Sequence, residues 1–222
     1  MGKKIPLEEK ILSANDRLAA EIREQFDSAG LLSLNLVASP GAGKTSLIEQ
    51  TIRVLGTDRR LAVIDGDLAT SIDADRAAAA GAASVQINTG GQCHLDANML
   101  RAALPELNLQ EIDLLIVENV GNLICPASFQ LGTHKTVLVA SVPEGDDKPY
   151  KYPTMYRGVD ALVVNKVDLL PYVEFDMDYF RRGVELLNPG LECFVVSCRT
   201  GEGLEDWFAW VRSEIEARRQ EA

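Results

Sequence analysis

A doubly wound α/β domain with a mainly parallel sheet, preceded by an N-terminal helical extension, is the fold that this 222-residue sequence predicts. Three observations carry that reading. From Leu31 onward, short apolar runs rich in Val, Leu and Ile alternate with helical stretches, as expected of strands buried on both faces beneath covering helices. The first apolar run leads through a glycine-rich turn into a helix. Before it, residues 8–29 carry a separate stripe, in which Ile11, Leu12, Leu18, Ala19, Ile22 and Phe26 recur at helical spacing and Gly30 supplies a stop.

The strands are expected at Leu32–Val37, Leu61–Ile64, Ser84–Ile87, Leu114–Val117, Thr136–Val142, Ala161–Val164 and Cys193–Val196. Helices are expected near 44–55, 71–81, 95–104, 149–158, 176–188 and 203–219. No internal repeat or Pro/Ser-rich linker interrupts them, so residues 1–30 read as an extension and 31–222 as one domain. Such sheets bind ligands at the carboxyl ends of their strands, which directs attention to the residues just after each one.

Composition narrows the function. Asp and Glu number 33 against 22 Lys and Arg, a net charge of −11, which disfavours non-specific nucleic-acid binding. No apolar run approaches the ~20 residues that cross a bilayer, so no membrane insertion is expected. Met1–Pro6 has two lysines with no apolar segment behind them, unlike a signal peptide, and a cytoplasmic location is expected. Four cysteines are too few for a disulfide scaffold and point toward metal binding or catalysis.

Ala38-Ser39-Pro40-Gly41-Ala42-Gly43-Lys44-Thr45 matches G-x-x-x-x-G-K-[ST], with Ala38 in place of the first glycine. Gly41, Ala42 and Gly43 let successive N–H groups face an anion, and the following helix adds its dipole. Lys44 supplies charge for the outer phosphates, Thr45 a hydroxyl for Mg²⁺, and Ser46 follows in the helix. The loop in this context predicts a P-loop NTPase. Asn165-Lys166-Val167-Asp168 resembles the N-K-x-D signature of GTPases, in which the Asp accepts from guanine N–H groups. Ser197 and Cys198 begin a loop resembling the one that closes over guanine.

Carboxylates at two further strand ends suit Mg²⁺. Asp65-Gly66-Asp67 follows one strand and Glu118-Asn119-Val120-Gly121 another. The second resembles the D-x-x-G switch with Glu in place of Asp. Asp67 is favoured over Asp65, whose role stays open. Asp73 and Asp75 are candidates for positioning the attacking water, or else exposed charges on a first helical turn. Lys44, Asp67 and Glu118 form the expected catalytic set.

Cys93, His94 and Cys125 combine thiolate and imidazole, which suit Zn²⁺ or Ni²⁺ rather than Mg²⁺. Cys125 lies shortly after the Glu118–Gly121 segment, so a switch could reshape the site. Water, His134 or a second subunit would complete the coordination. The alternative is that both cysteines are small core residues and His94 caps a helix. Cys193 and Cys198 read as core and loop residues.

These segments resemble one family, HypB, the nickel-inserting GTPases of hydrogenase maturation. The resemblance rests on Ser39–Thr45, Gly66-Asp67, Cys93-His94-Leu95-Asp96-Ala97, Glu118–Phe129, Glu144–Pro149 with Lys151-Tyr152-Pro153, and Asn165–Tyr172. It implies GTP/GDP turnover, a homodimer with nucleotide at its interface, and a Zn²⁺/Ni²⁺ site at Cys93, His94 and Cys125. It further implies nickel delivery to the large subunit of a [NiFe]-hydrogenase with a HypA-type nickel chaperone. Met1–Phe26 holds neither Cys nor His, which disfavours nickel storage there. Lys148 resembles a family position that reaches nucleotide across the dimer; a solvated lysine beside Asp146 and Asp147 is the alternative. No arginine finger is evident in the motifs, so slow turnover is expected. Competing readings are a maturation GTPase for urease or a cobalamin enzyme, a small-molecule kinase, and a GTP-dependent dimer with purely structural zinc.

Overall fold

The computed structural model describes residues 7–67 and 72–221; the expectations for Met1–Pro6 lie outside them. Seven strands form one sheet. They are β1 (Leu32–Ala38), β2 (Leu61–Asp67), β3 (Ala83–Asn88), β4 (Leu114–Glu118), β5 (Lys135–Ser141), β6 (Ala161–Asn165) and β7 (Glu192–Val195). All described pairings are parallel, in the order β3-β2-β4-β1-β5-β6-β7. The chain crosses from one side of β1 to the other between β4 and β5, which makes the carboxyl end of β1 the switch point of the sheet.

The helices are α1 (Leu7–Ala29), α2 (Lys44–Leu55), α3 (Ile72–Ala80), α4 (Ala97–Ala103), α5 (Lys148–Lys151), α6 (Pro153–Arg157), α7 (Met177–Leu187) and α8 (Leu204–Glu221). Strand alternation divides the core. Leu32, Leu34 and Leu36 pack with Leu47 and Ile52 of α2 and Trp207 and Val211 of α8. Trp207 donates its Nε1–H to Thr51 Oγ1 at 2.9 Å, tying α8 to α2. On the opposite face, Ile22 and Phe26 of α1 and Leu100 of α4 cover Ile64 and Val117. Met155, Tyr156, Phe180 and Val184 continue that cover over β5 and β6.

The helix expected across 149–158 is broken into α5 and α6. Pro153 has no N–H to continue a helix and bars Tyr152 from helical backbone; Tyr152 sits at φ −126°, ψ 53°. On α1 the buried stripe begins at Asn15, and Ile11 is 52% exposed. Among the described residues no helix is long and apolar enough to cross a membrane.

His134, offered by the sequence as a further metal ligand, is a structural tie. The Ser33 N–H donates to His134 Nδ1 at 3.0 Å, so that nitrogen carries no proton, and Nε2–H donates to Asp27 Oδ1 at 2.9 Å. The ring therefore joins β1, the start of β5 and α1. Burial lowers its pKa; the Asp27 hydrogen bond opposes this, and the Arg23 and Arg218 guanidiniums reinforce it. The unfolded chain then takes up a proton, near the ordinary value of about 6.5, that the folded chain resists. The stability contribution is complete above that value and is lost as the pH falls below it. Between pH 7.5 and 5 the urea midpoint of the parent should fall relative to that of His134→Asn, the difference isolating this imidazole from the other groups that titrate in the same range.

Candidate functional site

β1 ends at Ala38, whose methyl is wholly buried in the core, and the chain turns at once into the loop before α2. Gly41 and Gly43 take φ of +75° and +105°, which L side chains rarely adopt. A Cβ on Gly43 would also collide with the Asn165 side-chain amide, which donates to Ala42 O at 3.0 Å. The phosphate loop is thus locked to the N-K-x-D segment. Lys166 reinforces the lock from a left-handed backbone at φ 65°, donating from Nζ to Gly41 O at 2.6 Å.

The last strand closes the same corner. Asn165 Oδ1 accepts from the Lys166 N–H at 2.7 Å and from the Cys198 N–H at 3.1 Å. Ser197 Oγ donates to Asp168 Oδ1 at 2.7 Å, orienting that carboxylate. Gly43, Ser46, Asn165, Lys166, Asp168 and Cys198 line one cavity of about 320 Å³. Six of the residues expected to bind nucleotide thus line one cavity, which leads from the phosphate loop to a carboxylate aimed by a buried hydroxyl.

On the other side of the loop, Thr45 Oγ1 donates to Glu118 Oε1 at 2.7 Å. Asp65, Asp73 and Glu118 each bring an oxygen within 4.8 Å of the others. Burial pushes Asp65 up to about 7, with Asp73 and Asp67 adding to the rise and Lys44 opposing it. Glu118 rises to about 7 for the same first reason, opposed by Lys44 and the Thr45 hydroxyl. Among the described residues Asp65 Oδ2 is buried without a hydrogen-bond partner. Buried hard oxygens with one ligand position unmet fit a hydrated Mg²⁺ ion. The cluster contains Asp65, left open by the sequence, and does not include Asp67, which the sequence favoured. Asp67 lies beyond the end of β4 and pairs with Asn88 of β3, whereas Asp65 is the direct cross-strand neighbour of Glu118.

The soft donors gather on two loops. Cys93 and His94 lie between β3 and α4, and Cys125 opens a short turn after β4. One ligand atom from each comes within 4.8 Å of the others, and all three residues are half-buried. Cys93 Sγ is 3.8 Å from His94 Nδ1. A hydrogen bond with Cys93, then burial, raise the Cys125 thiol, and burial lowers His94. Phe129 stacks on His94 with ring centroids 3.9 Å apart. Such a mixed thiol and imidazole set suits Zn²⁺ or Ni²⁺. Cys193 and Cys198 stay apart from it, and burial pushes both thiols up, Cys198 to about 11.

With this geometry in view, comparison with known proteins is decisive. The CobW/HypB/UreG nucleotide-binding domain matches residues 32–195. The hydrogenase maturation factor HypB of Azotobacter vinelandii is 49% identical over 224 residues, covering 97% of this chain and 74% of the relative. The chain belongs to the HypB family.

Solved HypB structures superpose closely. HypB from Helicobacter pylori, crystallised in complex with nickel, gives a TM-score of 0.88 at 38% identity, covering 93% of this chain and 97% of that one. The HypB of Archaeoglobus fulgidus gives 0.86 at 37%, covering 91% and 99%. The fold is thus that of a P-loop NTPase of the HypB family. Two further residues matter that the motifs left without a role. Asn119 is 1% exposed and joins neighbouring segments, and Phe129 carries the His94 ring. The signal for Asn119 is a polar residue just after an apolar strand; for Phe129 none exists in one sequence.

Gly43→Ala should weaken nucleotide binding about tenfold or more, through both a strained backbone and displacement of Asn165. Titration with a fluorescent nucleotide measures this, and Gly190→Ala, also at positive φ but with open space around it, serves as the control for strain alone.

Proposed function

We propose that this HypB-family protein is a GTP-hydrolysing metallochaperone that inserts nickel during maturation of a [NiFe]-hydrogenase, with metal release coupled to the nucleotide. The observation that carries the reading is one dipeptide at the end of β4. Glu118 accepts from Thr45 in the phosphate loop, while Asn119 Oδ1 accepts from the Leu95 N–H, one residue past His94, at 3.0 Å. The same piece of backbone therefore touches the phosphate loop and the metal-binding loop.

Asp168 selects guanine, since an adenine would leave its half-buried, oriented carboxylate without the paired donors that guanine offers. Lys44 stabilises charge on the transferred phosphoryl group. Thr45 and Glu118, with Asp65 and Asp67 at the end of β2, would hold Mg²⁺, which when bound neutralises charge between the outer phosphates. Cys93, His94 and Cys125 hold the cargo, Ni²⁺ or Zn²⁺. Loss of the terminal phosphate relaxes the end of β4, shifts the Cys125 turn relative to Cys93 and His94, and weakens the grip on the metal. A homodimer, a HypA-type chaperone and the hydrogenase large subunit are the proposed partners.

The test is nickel titration with GDP and with a non-hydrolysable GTP analogue. Affinity about tenfold weaker with GDP, a coupling near 1.4 kcal/mol, is expected; equal affinity and stoichiometry in both states would remove the coupling. Asp168→Ala should lower GTP affinity roughly tenfold or more while nickel binding by the nucleotide-free protein stays unchanged, readable by calorimetry. Light scattering with each nucleotide, with and without nickel, gives the mass of the assembly.

A further inference from the structure

We propose that Asn15, on α1 and outside the shared nucleotide-binding domain, is a positioning residue for His94: its side-chain amide ties the segment after His94 to the segment after Phe129. Asn15 Oδ1 accepts from the Ala97 N–H at 2.8 Å, and Asn15 Nδ2 donates to Gln130 O at 2.8 Å. Ala97 is three residues beyond His94, and Gln130 is the residue after Phe129. The two tethered segments are the two that carry the stacked rings, whose planes lie 22° apart.

The amide does both jobs from the two ends of one side chain, its oxygen accepting and its nitrogen donating. Asn15 is 7% exposed, so neither bond is readily replaced by water. It heads the buried stripe of α1, four residues before Ala19, which is 4% exposed. A polar residue at a buried helical position destabilises unless its partners are in place, and here both partners belong to the loops that hold the metal ligands. Groups that orient a metal-binding imidazole without touching the metal commonly change affinity ten- to a hundredfold when removed. The metal consequence rests on the nickel reading proposed above; the ring placement does not.

The experiment has two readouts. In the metal-free protein at pH 8, the His94 ring protons should resonate upfield because of the Phe129 face; the chain has two histidines, and His94→Ala assigns the signals. Asn15→Ala should move them downfield toward an unstacked imidazole, and Asn15→Asp, which keeps the acceptor and loses the donor, should move them part of the way. With nickel, chelator competition should show affinity about tenfold weaker in Asn15→Ala, with no further loss when the change is made in His94→Ala. Val211→Ala, on the opposite face of the sheet, should lower stability without altering either readout. Unmoved ring signals in folded Asn15→Ala overturn the proposal, as does an equal nickel loss from Asn15→Ala in the His94→Ala background. If His94→Ala binds nickel as the parent does, the nickel reading falls, and the metal-free spectra report on Asn15 separately.

Discussion

The arrangement depends on two consecutive side chains at the end of β4 pointing to opposite faces of the sheet. Alternation along a strand sends Glu118 toward α2 and the phosphate loop and Asn119 toward α1 and α4. Neither can move alone. Glu118 is 4% exposed and holds the Thr45 hydroxyl; Asn119 is 1% exposed, accepts from Leu95 and Val120 N–H groups, and donates to Asn35 Oδ1 at 3.2 Å. Leaving one such buried group unpaired costs about 1–3 kcal/mol, which is the size of coupling that allosteric proteins use. The following turn is held just as closely. A Cβ on Gly121 would lie 3.0 Å from the Pro40 Cα of the phosphate loop, so this stretch of chain can follow the loop without a side chain in between.

The electrostatics explain why such a junction favours a cation. Three carboxylates meet at the ends of β2 and β4, Asp65 and Glu118 buried and Asp73 half-exposed, and for Asp65 and Glu118 burial is the largest cause of a pKa near 7. Lys44 offsets part of this from the start of α2. Placing a divalent ion there would satisfy Asp65 Oδ2 and relieve the mutual repulsion of the carboxylates, so metal and phosphate are expected to favour one another.

The sheet was legible because its central strands are buried on both faces: each of the seven expected runs matches an observed strand to within three residues at either end, and burial leaves Val, Leu and Ile runs that few other structures produce. The 149–158 stretch misled because its apolar spacing continues through Pro153, whose missing N–H ends α5 regardless. Asp67 is the more visible carboxylate in the sequence because it lies at the strand end; the place of Asp65 beside Glu118 is not visible there. The register of β2 on β4, which pairs Asp65 with Glu118, is a property of the pairing of distant segments and is not written in either one. His134 failed as a ligand for a similar reason. One sequence shows an imidazole, not that the Ser33 N–H and the Asp27 carboxylate, each 101 or more residues away, occupy both of its nitrogens.

The soft-donor cluster also differs in its geometry from a closed four-ligand zinc site. A structural zinc site closes four ligands around the ion, commonly on one compact unit. Here three half-buried donors sit on two loops, one after β3 and one after β4, with their relative position set by hydrogen bonds to Asn119 and Asn15 rather than by a shared helix. Rigid-body movement of either loop by even an ångström changes the donor spacing, since within the cluster the two loops are joined by the Cys93–Cys125 hydrogen bond and the His94–Phe129 stack rather than by continuous backbone. Cys193 and Cys198, by contrast, stand on the last strand and in the loop after it, apart from the cluster, and burial pushes both thiols up. A site meant to surrender its ion is better built from the first kind of cysteine than the second, because affinity can then be altered by moving backbone that the phosphate loop already touches.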